Sequence, residues 1–333
     1  MITMDEIAQE AGLSRYTVSK ILNGDTTVKA ASRDAVMAIC KRHGYMPNNN
    51  AVGLVKGRTN IVAMIVPYIT DDFYNEMIEL TETLIESKGY RLIYKSSYND
   101  ATKEAEIIQS FLALKVSALI IVPVVDGPNV RIHTLAAKHV PVIYIDRTLN
   151  KRGYSVLNDN EASAAAMTEH LLGTTERVAY LGSFYGDSNP TSLARKNGYI
   201  STMEEHALRP DIIACDASTE KQDNERFGYE NMAHYLRNGG RADAVFCVTD
   251  AVALGAIKAV RDSGKVPGRD IRIAGHDNLR FTEFVYPSIT TMKQPIDLMC
   301  RASVAMADDL IHDRFHGKKQ QIFTSELIIR ESA

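Results

Sequence analysis

The N-terminal residues constrain the fold most, because two short helical segments are separated there by a turn of recognisable chemistry. Thr3 and Glu6 stand at the spacing of a capping box, in which each side chain binds the backbone N–H of the other residue. Ile7 and Ala8 then begin an apolar helical face, and Gly12 readily adopts the left-handed conformation that ends a helix. The sequence therefore predicts a short, well-capped helix followed by a tight turn.

A second short helix is predicted directly after this turn. Ser14 is its expected N-cap, and Val18, Ile21 and Leu22 form its apolar face. Two such helices are typical of a helix-turn-helix, whose second helix enters the major groove of DNA. An ordinary helical hairpin with a solvated polar face has the same pattern and stays open as an alternative. In the DNA-binding interpretation, the outward residues that contact bases are Arg15, Tyr16, Thr17, Ser19 and Lys20.

A third helix and a weakly helical segment come next. The third helix is predicted from Ser32 to His43 and is closed by Gly44, and Pro47 then interrupts regular structure. Residues 48–54 read NNNAVGL, in which Asn and Gly both lower the propensity for helix. We expect this segment to become helical only when a binding partner supplies the missing stability.

Charge is distributed unevenly along the chain. Residues 1–58 hold eight Lys and Arg and five Asp and Glu, although the whole chain of 333 residues has a formal net charge of −3. A basic end on an acidic body concentrates the attraction for phosphate groups at that end. The asymmetry therefore favours nucleic-acid binding by the N-terminal residues.

Composition places the chain among globular proteins, with 45% hydrophobic and 24% charged residues. No apolar run approaches the ~20 residues that span a bilayer, and the first residues lack the pattern of a secretion signal. The four cysteines are scattered, which argues against a zinc site or a disulfide framework and fits a reducing compartment. We therefore expect a cytoplasmic protein that does not contact a membrane.

Strands and helices alternate after residue 60. Ile61–Val66 is a continuous apolar run, which is typical of a strand buried on both faces. The alternation predicts parallel sheets covered by helices on both faces. The strands are too numerous for one sheet, so we expect two similar halves that divide near residues 158–161. The further predicted strands are Tyr90–Lys95, Ala118–Val122, Val142–Ile145, Val178–Leu181, Ala244–Val248, Ile271–Ala274 and Glu326–Ile329.

The N-terminal segments resemble the LacI/GalR-type bacterial transcription regulators. Residues 11–24 (AGLSRYTVSKILNG) and 45–54 (YMPNNNAVGL) are similar to the headpiece and the hinge of that family. The resemblance implies that the hinge helices of a dimer enter the minor groove and wedge a leucine, here Leu54, between base pairs. The helix-turn-helix and the resemblance together give these DNA-binding residues: Thr3, Ser14, Arg15, Tyr16, Thr17, Ser19, Lys20, Asn23, Asn48, Ala51 and Leu54.

Four positions depart from the family pattern. Lys20 stands where arginine is usual, which keeps the charge but loses a two-pronged hydrogen-bond donor. Residues 52 and 53 are Val and Gly where the hinge usually carries Arg and Ser, so the hinge lacks a cation. His276 stands where the family prefers Phe. These differences leave DNA binding expected and the operator sequence unspecified.

The rest of the chain resembles the periplasmic-binding-protein-like core of the same family. The matching motifs are, in order, VPVIYIDR at 140–147, DNEA at 159–162, TDAVALGA at 249–256, AGHDN at 274–278 and SITT at 288–291. The resemblance implies an α/β protein with a helix-turn-helix headpiece (1–46), a hinge and linker (47–59) and a two-lobed core with two parallel sheets (60–333). One lobe would hold about residues 60–160 and 293–323, and the other about residues 161–292 and 324–333.

Ligands of parallel sheets bind beyond the carboxyl ends of the strands, so the cleft between two such sheets is the expected pocket. Asp250 follows a strand and either accepts hydrogen bonds from sugar hydroxyls or caps the next helix. Arg195 either binds a carboxylate, a phosphate or ring oxygens, or is a solvated helix arginine. Phe73 and Tyr74 either stack on a sugar or belong to the core. The candidate effector-binding residues, two of them given by the resemblance alone (Phe227 and Gln294), are Phe73, Tyr74, Asp146, Arg195, Phe227, Asp250 and Gln294.

The sequence favours neither catalysis nor metal binding. It lacks a glycine-rich phosphate loop and a Gly-x-Ser-x-Gly elbow, and its nine histidines have no ligand-spaced partners. We therefore expect no catalytic residue, no cofactor and no metal. A periplasmic sugar carrier would share the body but has no use for the N-terminal helices, whereas a sugar-processing enzyme would need a catalytic constellation.

The resemblance implies a transcription regulator, a repressor of carbohydrate-utilisation genes. It would bind a palindromic operator in double-stranded DNA as a homodimer, with half-sites set by the symmetry of the protein. A small sugar or sugar-acid effector in the interlobe cleft would switch DNA binding through its different affinity for two states of the protein.

Overall fold

The computed structural model describes residues 2–22, 25, 27–45, 59–125, 129–149, 152–184, 186–214 and 223–333. The chain divides into two structural units, residues 1–60 and residues 61–333, and each is described by itself. Four of the residues predicted to contact DNA lie outside the described residues: Asn23, Asn48, Ala51 and Leu54.

The described residues of the N-terminal unit form three helices: α1 (Met4–Ala11), α2 (Arg15–Leu22) and α3 (Ala30–His43). The predicted capping box is present, because the Thr3 hydroxyl accepts from the Glu6 backbone N–H at 3.3 Å while the Glu6 carboxylate accepts from the Thr3 N–H at 2.7 Å. Gly12 ends α1 at φ 64°, in the left-handed region. The apolar faces of the helices enclose a small core of Ile7, Ala8, Val18, Ile21, Val36, Ile39 and Cys40.

The second unit contains two six-stranded sheets, and the first is entirely parallel. Its strands are β1 (Ile61–Val66), β2 (Arg91–Ser96), β3 (Ala118–Ile121), β4 (Val142–Ile145), β5 (Tyr154–Asn158) and β11 (Gln320–Phe323), in the spatial order β11-β5-β4-β3-β1-β2. Five of the six residues of the apolar run in β1 are buried, as expected for a central strand. The helices of this lobe are α4 (Asp72–Ser87), α5 (Ala101–Ala113), α6 (Val130–Ala136) and α11 (Ile296–Ile311).

The second sheet is parallel except at one edge. Its strands are β6 (Val178–Leu181), β7 (Asp211–Ile212), β8 (Ala244–Cys247), β9 (Arg272–Asp277), β10 (Thr290–Lys293) and β12 (Glu326–Ile328), in the order β12-β10-β9-β8-β6-β7. β12 is antiparallel to β10. The helices are α7 (Asn160–Leu172), α8 (Pro190–Glu205), α9 (Asn224–Arg237) and α10 (Asp250–Asp262), with 3-10 turns at Gly186–Ser188 and Arg280–Glu283. The predicted α/β fold with two parallel-dominated sheets is confirmed.

The chain passes between the two sheets three times. It leaves the first sheet after β5, returns between β10 and α11, and crosses again between β11 and β12. Helix α11 packs on the first sheet, where Met299 and Val304 share a core with Val62 and Ile143. Helix α7 packs on the second sheet through Met167, which lies among the residues of that sheet's core. The crossings therefore tie the two lobes together at one side of the unit.

Four strands lack a clear sequence signal: β5, β7, β10 and β11. β11 reads Gln-Gln-Ile-Phe and lies at a sheet edge, so it has no buried apolar run. β10 carries polar residues into the interior, where the Thr290 hydroxyl donates to the Ala333 carbonyl at 2.8 Å and the Thr291 hydroxyl donates to Asp250 at 2.6 Å. Buried threonines that are satisfied in this way form a strand without an apolar pattern.

Helices α9 and α10 pack unusually closely, and two glycines permit this approach. A Cβ atom on Gly228 would overlap the Val252 carbonyl oxygen, and a Cβ on Gly255 would overlap the Glu225 carbonyl oxygen. Glycine is therefore required at both positions by space rather than by backbone conformation. The close packing fixes the N-terminal ends of both helices beside one another.

We expect Gly255→Ala to destabilise the protein. The substitution favours an isolated helix by about 1 kcal/mol, but here the new methyl group collides with backbone, and overpacking costs about 1–3 kcal/mol or more. Thermal unfolding should therefore show a Tm lower by several degrees. Lys258→Ala, at an exposed position on the same helix, is the matched control and should change stability by less than about 0.5 kcal/mol. Equal Tm values for the two variants would contradict the proposed close packing.

Candidate functional site

A cavity of about 190 Å³ lies between the two sheets of the second unit. Its lining comes from the carboxyl ends of strands in both lobes, including Pro67 after β1, Arg147 after β4, Thr249 after β8 and Asp277 at the end of β9. The cavity is somewhat larger than an engineered cavity of ~150 Å³ that holds benzene. A molecule the size of a small ring therefore fits, at the place where parallel sheets bind ligands.

The first lobe contributes a buried group of three polar side chains: Tyr74, Asp146 and Arg147. The Arg147 guanidinium donates to the Tyr74 hydroxyl at 2.8 Å, and that hydroxyl donates to Asp146 at 3.4 Å. The Arg147 Nε lies 3.5 Å from the same Asp146 oxygen. Burial raises the pKa of Asp146, and the charge of Arg147 opposes that rise. The three side chains therefore hold one another in place at the wall of the cleft.

The second lobe contributes an aspartate that is held by three donors. One carboxylate oxygen of Asp277, Oδ1, accepts from the Gln294 amide at 2.7 Å and lies 3.1 Å from His276 Nδ1 and 3.3 Å from a guanidinium nitrogen of Arg195. Arg195 also donates to Asn160 at 2.8 Å and to the Val248 carbonyl at 2.6 Å. These three contacts on one oxygen fix the orientation of the Asp277 carboxylate.

His276, the residue that departs from the family pattern, acts here as a neutral donor. Burial lowers its pKa to about 4, and the charge of Arg195 contributes to the same shift. A neutral ring that faces the Asp277 carboxylate through Nδ1 carries its proton on that nitrogen. The departure from the family therefore adds a hydrogen bond to the aspartate, which a phenylalanine could not supply.

The backbone is strained at the same two aspartates. Asp146 has a φ of 69°, Asp277 a φ of 117° and Asn278 a φ of 60°, all in the region that disfavours residues with a Cβ atom. Such conformations cost of order 1–3 kcal/mol each and cluster at ligand sites, where the surrounding structure maintains them. The carboxyl ends of β4 and β9 are thus the strained parts of the cleft wall.

The structure brings four of the seven predicted effector-binding residues to the cleft and leaves three away from its lining. The cleft is lined by Phe73, Tyr74, Asp146 and Arg195. Phe227 belongs to the core of the second lobe, where its ring lies 6.3 Å from that of Phe184. Gln294 does not line the cavity, and its amide donates a hydrogen bond to Asp277 instead.

Asp250 has neither of the two roles that the sequence analysis considered for it. It is not the cap of α10, because Thr249 occupies that position and its hydroxyl accepts from the Val252 N–H at 3.3 Å. Nor does it line the cavity: its carboxylate is fully buried and accepts from the Leu279 N–H at 2.8 Å and the Thr291 hydroxyl at 2.6 Å. Asp250 therefore orients the segment that follows Asp277.

Sequence reasoning missed several residues of the lining, among them Asp71, Asn99, Arg147, Thr249 and Asp277. Four of them lie between the carboxyl end of a predicted strand and the helix that follows it, or at that strand end. Because ligands of parallel sheets bind there, this position could have identified them as lining residues. Arg147 and Asp277 even stand inside motifs that the resemblance identifies. Asn99 lies in a loop after β2 and carries no comparable signal.

Asp71, a carboxyl group of the cleft, titrates near neutral pH. Burial raises its pKa to about 7, and the charges of Asp277, Asp72 and Asp146 add to the rise, against a hydrogen bond of 3.0 Å from the Phe73 N–H. A carboxyl whose pKa is higher in the folded state binds a proton that the unfolded state releases. This group therefore stabilises the fold at low pH and loses that contribution as the pH rises through about 7.

We expect Asp71→Asn to flatten this part of the pH dependence of stability. Asparagine caps a helix about as well as aspartate, so the start of α4 should stay intact. Denaturant unfolding between pH 5 and pH 8 measures the effect as a smaller decline in the free energy of unfolding. Glu79→Gln, at an exposed site on the same helix, should keep the decline of the unmodified protein. An unchanged profile in Asp71→Asn would show that Asp71 titrates normally.

In the N-terminal unit, the predicted recognition helix α2 exposes its first residues. Ser14 caps the helix by accepting from the Thr17 N–H at 3.1 Å. Tyr16 is 71% exposed, Arg15 is exposed beside Asp5 at 3.2 Å, and Lys20 lies 3.2 Å from Asp25 and 5.5 Å from the centre of the Tyr16 ring. Exposed ion pairs of this kind contribute little to stability, so these cations can exchange partners. Thr17 and Ser19, on the same helix, are half-buried.

Comparison with known proteins places both units. The chain matches the family models "Periplasmic binding protein domain" over residues 62–282 and "Bacterial regulatory proteins, lacI family" over residues 3–48. It is 29% identical over 338 residues to the HTH-type transcriptional regulator MalR of Clostridium butyricum, covering 99% of both chains. It is 25% identical over 317 residues to the sucrose operon repressor of Lactococcus lactis subsp. lactis, covering 95% of this chain and 94% of that protein.

A solved structure of the lac repressor dimer bound to operator and the anti-inducer ONPF is also similar. Its TM-score is 0.89 at 22% identity, and the match covers 99% of this chain and 98% of that chain. At this identity the likeness establishes the fold alone. The comparison covers the N-terminal helices as well as the two-lobed core.

A helix-turn-helix joined in one chain to a two-lobed α/β core with a cleft defines a class of bacterial regulators. The chain belongs to the LacI family of bacterial regulatory proteins, as the motifs predicted. The relatives named above are regulators and not enzymes. Among the described residues, no helix is long and apolar enough to cross a membrane.

Proposed function

We propose that this protein is a ligand-responsive repressor of carbohydrate-utilisation genes. It binds a palindromic operator in double-stranded DNA as a homodimer, and a sugar or sugar derivative in the interlobe cleft switches that binding. The observation that carries the proposal is a polar, strained cleft of ring-molecule size in a chain whose N-terminal unit exposes Arg15 and Tyr16 on a capped recognition helix. A sucrose operon repressor among the relatives supports the carbohydrate class.

Each of three parts of the chain has its own role in this proposal. Residues 1–46 form the DNA-binding headpiece, residues 47–59 the hinge and linker, and residues 60–333 the effector-binding and dimerisation core. The hinge lies outside the described residues except at its last position, so the role of Leu54 stays a prediction. We place the protein in the cytoplasm, because a bacterial operator is found there, and we assign it no catalytic reaction.

A change in the angle between the lobes is the proposed switch. The lobes contact the effector from opposite walls, with Tyr74 and Asp146 on one side and Arg195 and Asp277 on the other. An effector that bridges these walls binds the closed arrangement more tightly than the open one. Only that difference in affinity can shift the equilibrium between DNA-binding and released states.

Two exposed aromatic side chains support self-association. Phe284 is 76% exposed and Tyr286 is 77% exposed, and both follow the 3-10 turn of the second lobe. We infer that these two side chains, two residues apart in the chain, belong to an interaction surface. A dimer that covers them would also present two recognition helices to a two-fold symmetric DNA site.

Electrophoretic mobility shift with DNA from upstream of the protein's own gene tests the proposal directly. We expect a retarded band at low salt, and a change in its intensity when a sugar that binds the cleft is added. The affinity should fall steeply with salt concentration, because phosphate contacts release counterions. No retarded band at low salt would remove the regulator interpretation, whatever the cleft binds.

We expect Arg15→Ala to weaken operator binding by roughly tenfold or more, since a specific base contact contributes about 1–3 kcal/mol. Arg42→Ala is the matched control: Arg42 is also exposed and also paired with one carboxylate, that of Glu10 at 2.8 Å, but it lies on α3. Fluorescence anisotropy with labelled operator measures both. Equal losses in the two variants would mean that Arg15 contributes only general positive charge.

A further inference from the structure

The carboxylates of the cleft share an arrangement in which one oxygen is held by the protein. Asp71 Oδ1 accepts from the Phe73 N–H at 3.0 Å, Asp146 Oδ2 accepts from Tyr74 at 3.4 Å, and Asp277 Oδ1 contacts three donors. The second oxygen of each carboxylate accepts no hydrogen bond from the described residues. All three residues line the cavity. The cleft therefore offers a ligand three acceptors that the protein has already oriented.

The cationic groups of the cleft are, in contrast, committed to the protein. The three guanidinium nitrogens of Arg195 face Asn160, the Val248 carbonyl and Asp277. One nitrogen of Arg147 donates to Tyr74, a second lies 3.5 Å from Asn99, and Nε lies 3.5 Å from Asp146 without donating a hydrogen bond. A ligand with a carboxylate or phosphate group would have to share these arginines with the acceptors that already orient them. It would also lie beside the carboxylates that pair with them, which repel it.

The formal charge of the lining also disfavours a negatively charged ligand. The cavity wall carries five carboxylates against the two arginines: Asp71, Asp72, Asp146, Glu225 and Asp277. Repulsion among them contributes to the raised pKa of Asp71, about 7, after the larger effect of burial. A positive charge beside Asp71 would relieve this repulsion, and a further negative charge would increase it.

We propose that the cleft selects its effector by charge: it takes a hydroxyl-rich ring molecule that is neutral or carries a protonated amine, it excludes sugar acids and sugar phosphates, and Asp71 sets this selectivity. This inference rests on the proposed function and narrows it, because the two arginines taken alone are compatible with sugar acids. Hydroxyl and ammonium groups donate hydrogens to the three available carboxylate oxygens. Carboxylate and phosphate groups at neutral pH only accept hydrogen bonds, and in the described lining they meet five carboxylates against two arginines.

Isothermal titration calorimetry on the full-length protein at pH 7.5 tests the selectivity with matched probes. For each of galactose, glucose and mannose, the neutral sugar is compared with its 2-amino analogue, its uronate and its 6-phosphate. We expect at least one neutral or amino sugar to bind, the amino analogue to bind at least as tightly as its neutral parent, and the corresponding uronate and phosphate to bind roughly 100-fold more weakly. A uronate or phosphate that binds as tightly as its parent would overturn the proposal, as would the absence of binding by every neutral and amino probe.

Two variants assign the selectivity to a residue. Asp71→Asn keeps the helix cap but removes the charge, so the ratio between amine and uronate affinities should fall by roughly tenfold or more. Glu79→Gln removes an equal charge from an exposed position on the same helix and should leave that ratio unchanged. If both variants leave the ratio unchanged, Asp71 is not the selector and the proposal fails.

Mobility shift with the operator separates this failure from failure of the proposed function. A uronate that binds the cleft and changes the retarded band overturns the charge selectivity while the regulator assignment stands. A protein that binds amino sugars in the cleft but never retards operator DNA keeps the charge selectivity and loses the assignment as a regulator.

Discussion

The two hydrogen bonds and one ion pair that converge on one oxygen of Asp277 are the interactions on which the cleft depends. Gln294 reaches it from the crossing between the lobes, His276 from the adjacent position of β9, and Arg195 from α8. Each donor is buried, so the loss of any one leaves a polar group without its partner in the interior. The contacts therefore hold the carboxylate in place although the backbone at this strand end is strained.

A second layer of contacts maintains this arrangement. Asp250 accepts from the backbone N–H of Leu279, and from Thr291 on the neighbouring strand, and so holds the turn that follows Asp277. Gly275 is required beneath it, because a Cβ atom there would overlap the Asp250 carboxylate. The first lobe repeats the principle more simply, with Asp146 at a strained strand end between Tyr74 and Arg147. Both walls of the cleft are thus organised before a ligand arrives, which reduces the entropic cost of binding.

The parts of the structure that follow from local pattern could be predicted from sequence, and the parts that depend on distant partners could not. The apolar run of β1 and the capping box of α1 are local, and both were located correctly. The role of Asp250 is not local, since its carboxylate meets the hydroxyl of Thr291 some forty residues later. Phe227 fits a core and a cleft equally well by composition, and its burial in the core of the second lobe depends on side chains distant in the sequence, Phe184 among them.

The same distinction applies to the chemistry of the cleft. An arginine in a ligand pocket suggests an acidic ligand, but its protein partners also decide what it offers to a ligand. Arg195 donates to Asn160 and Val248 and pairs with Asp277, so it gives the cleft an oriented carboxylate beside its own positive charge. The partners come from three different elements, and no spacing in the sequence encodes their meeting.

The closed state of such a cleft is favoured by a ligand that donates hydrogens to both walls at once. A coupling of about 1–3 kcal/mol between effector and DNA, the usual range for allosteric proteins, needs no more than one or two such bonds that form only on closure.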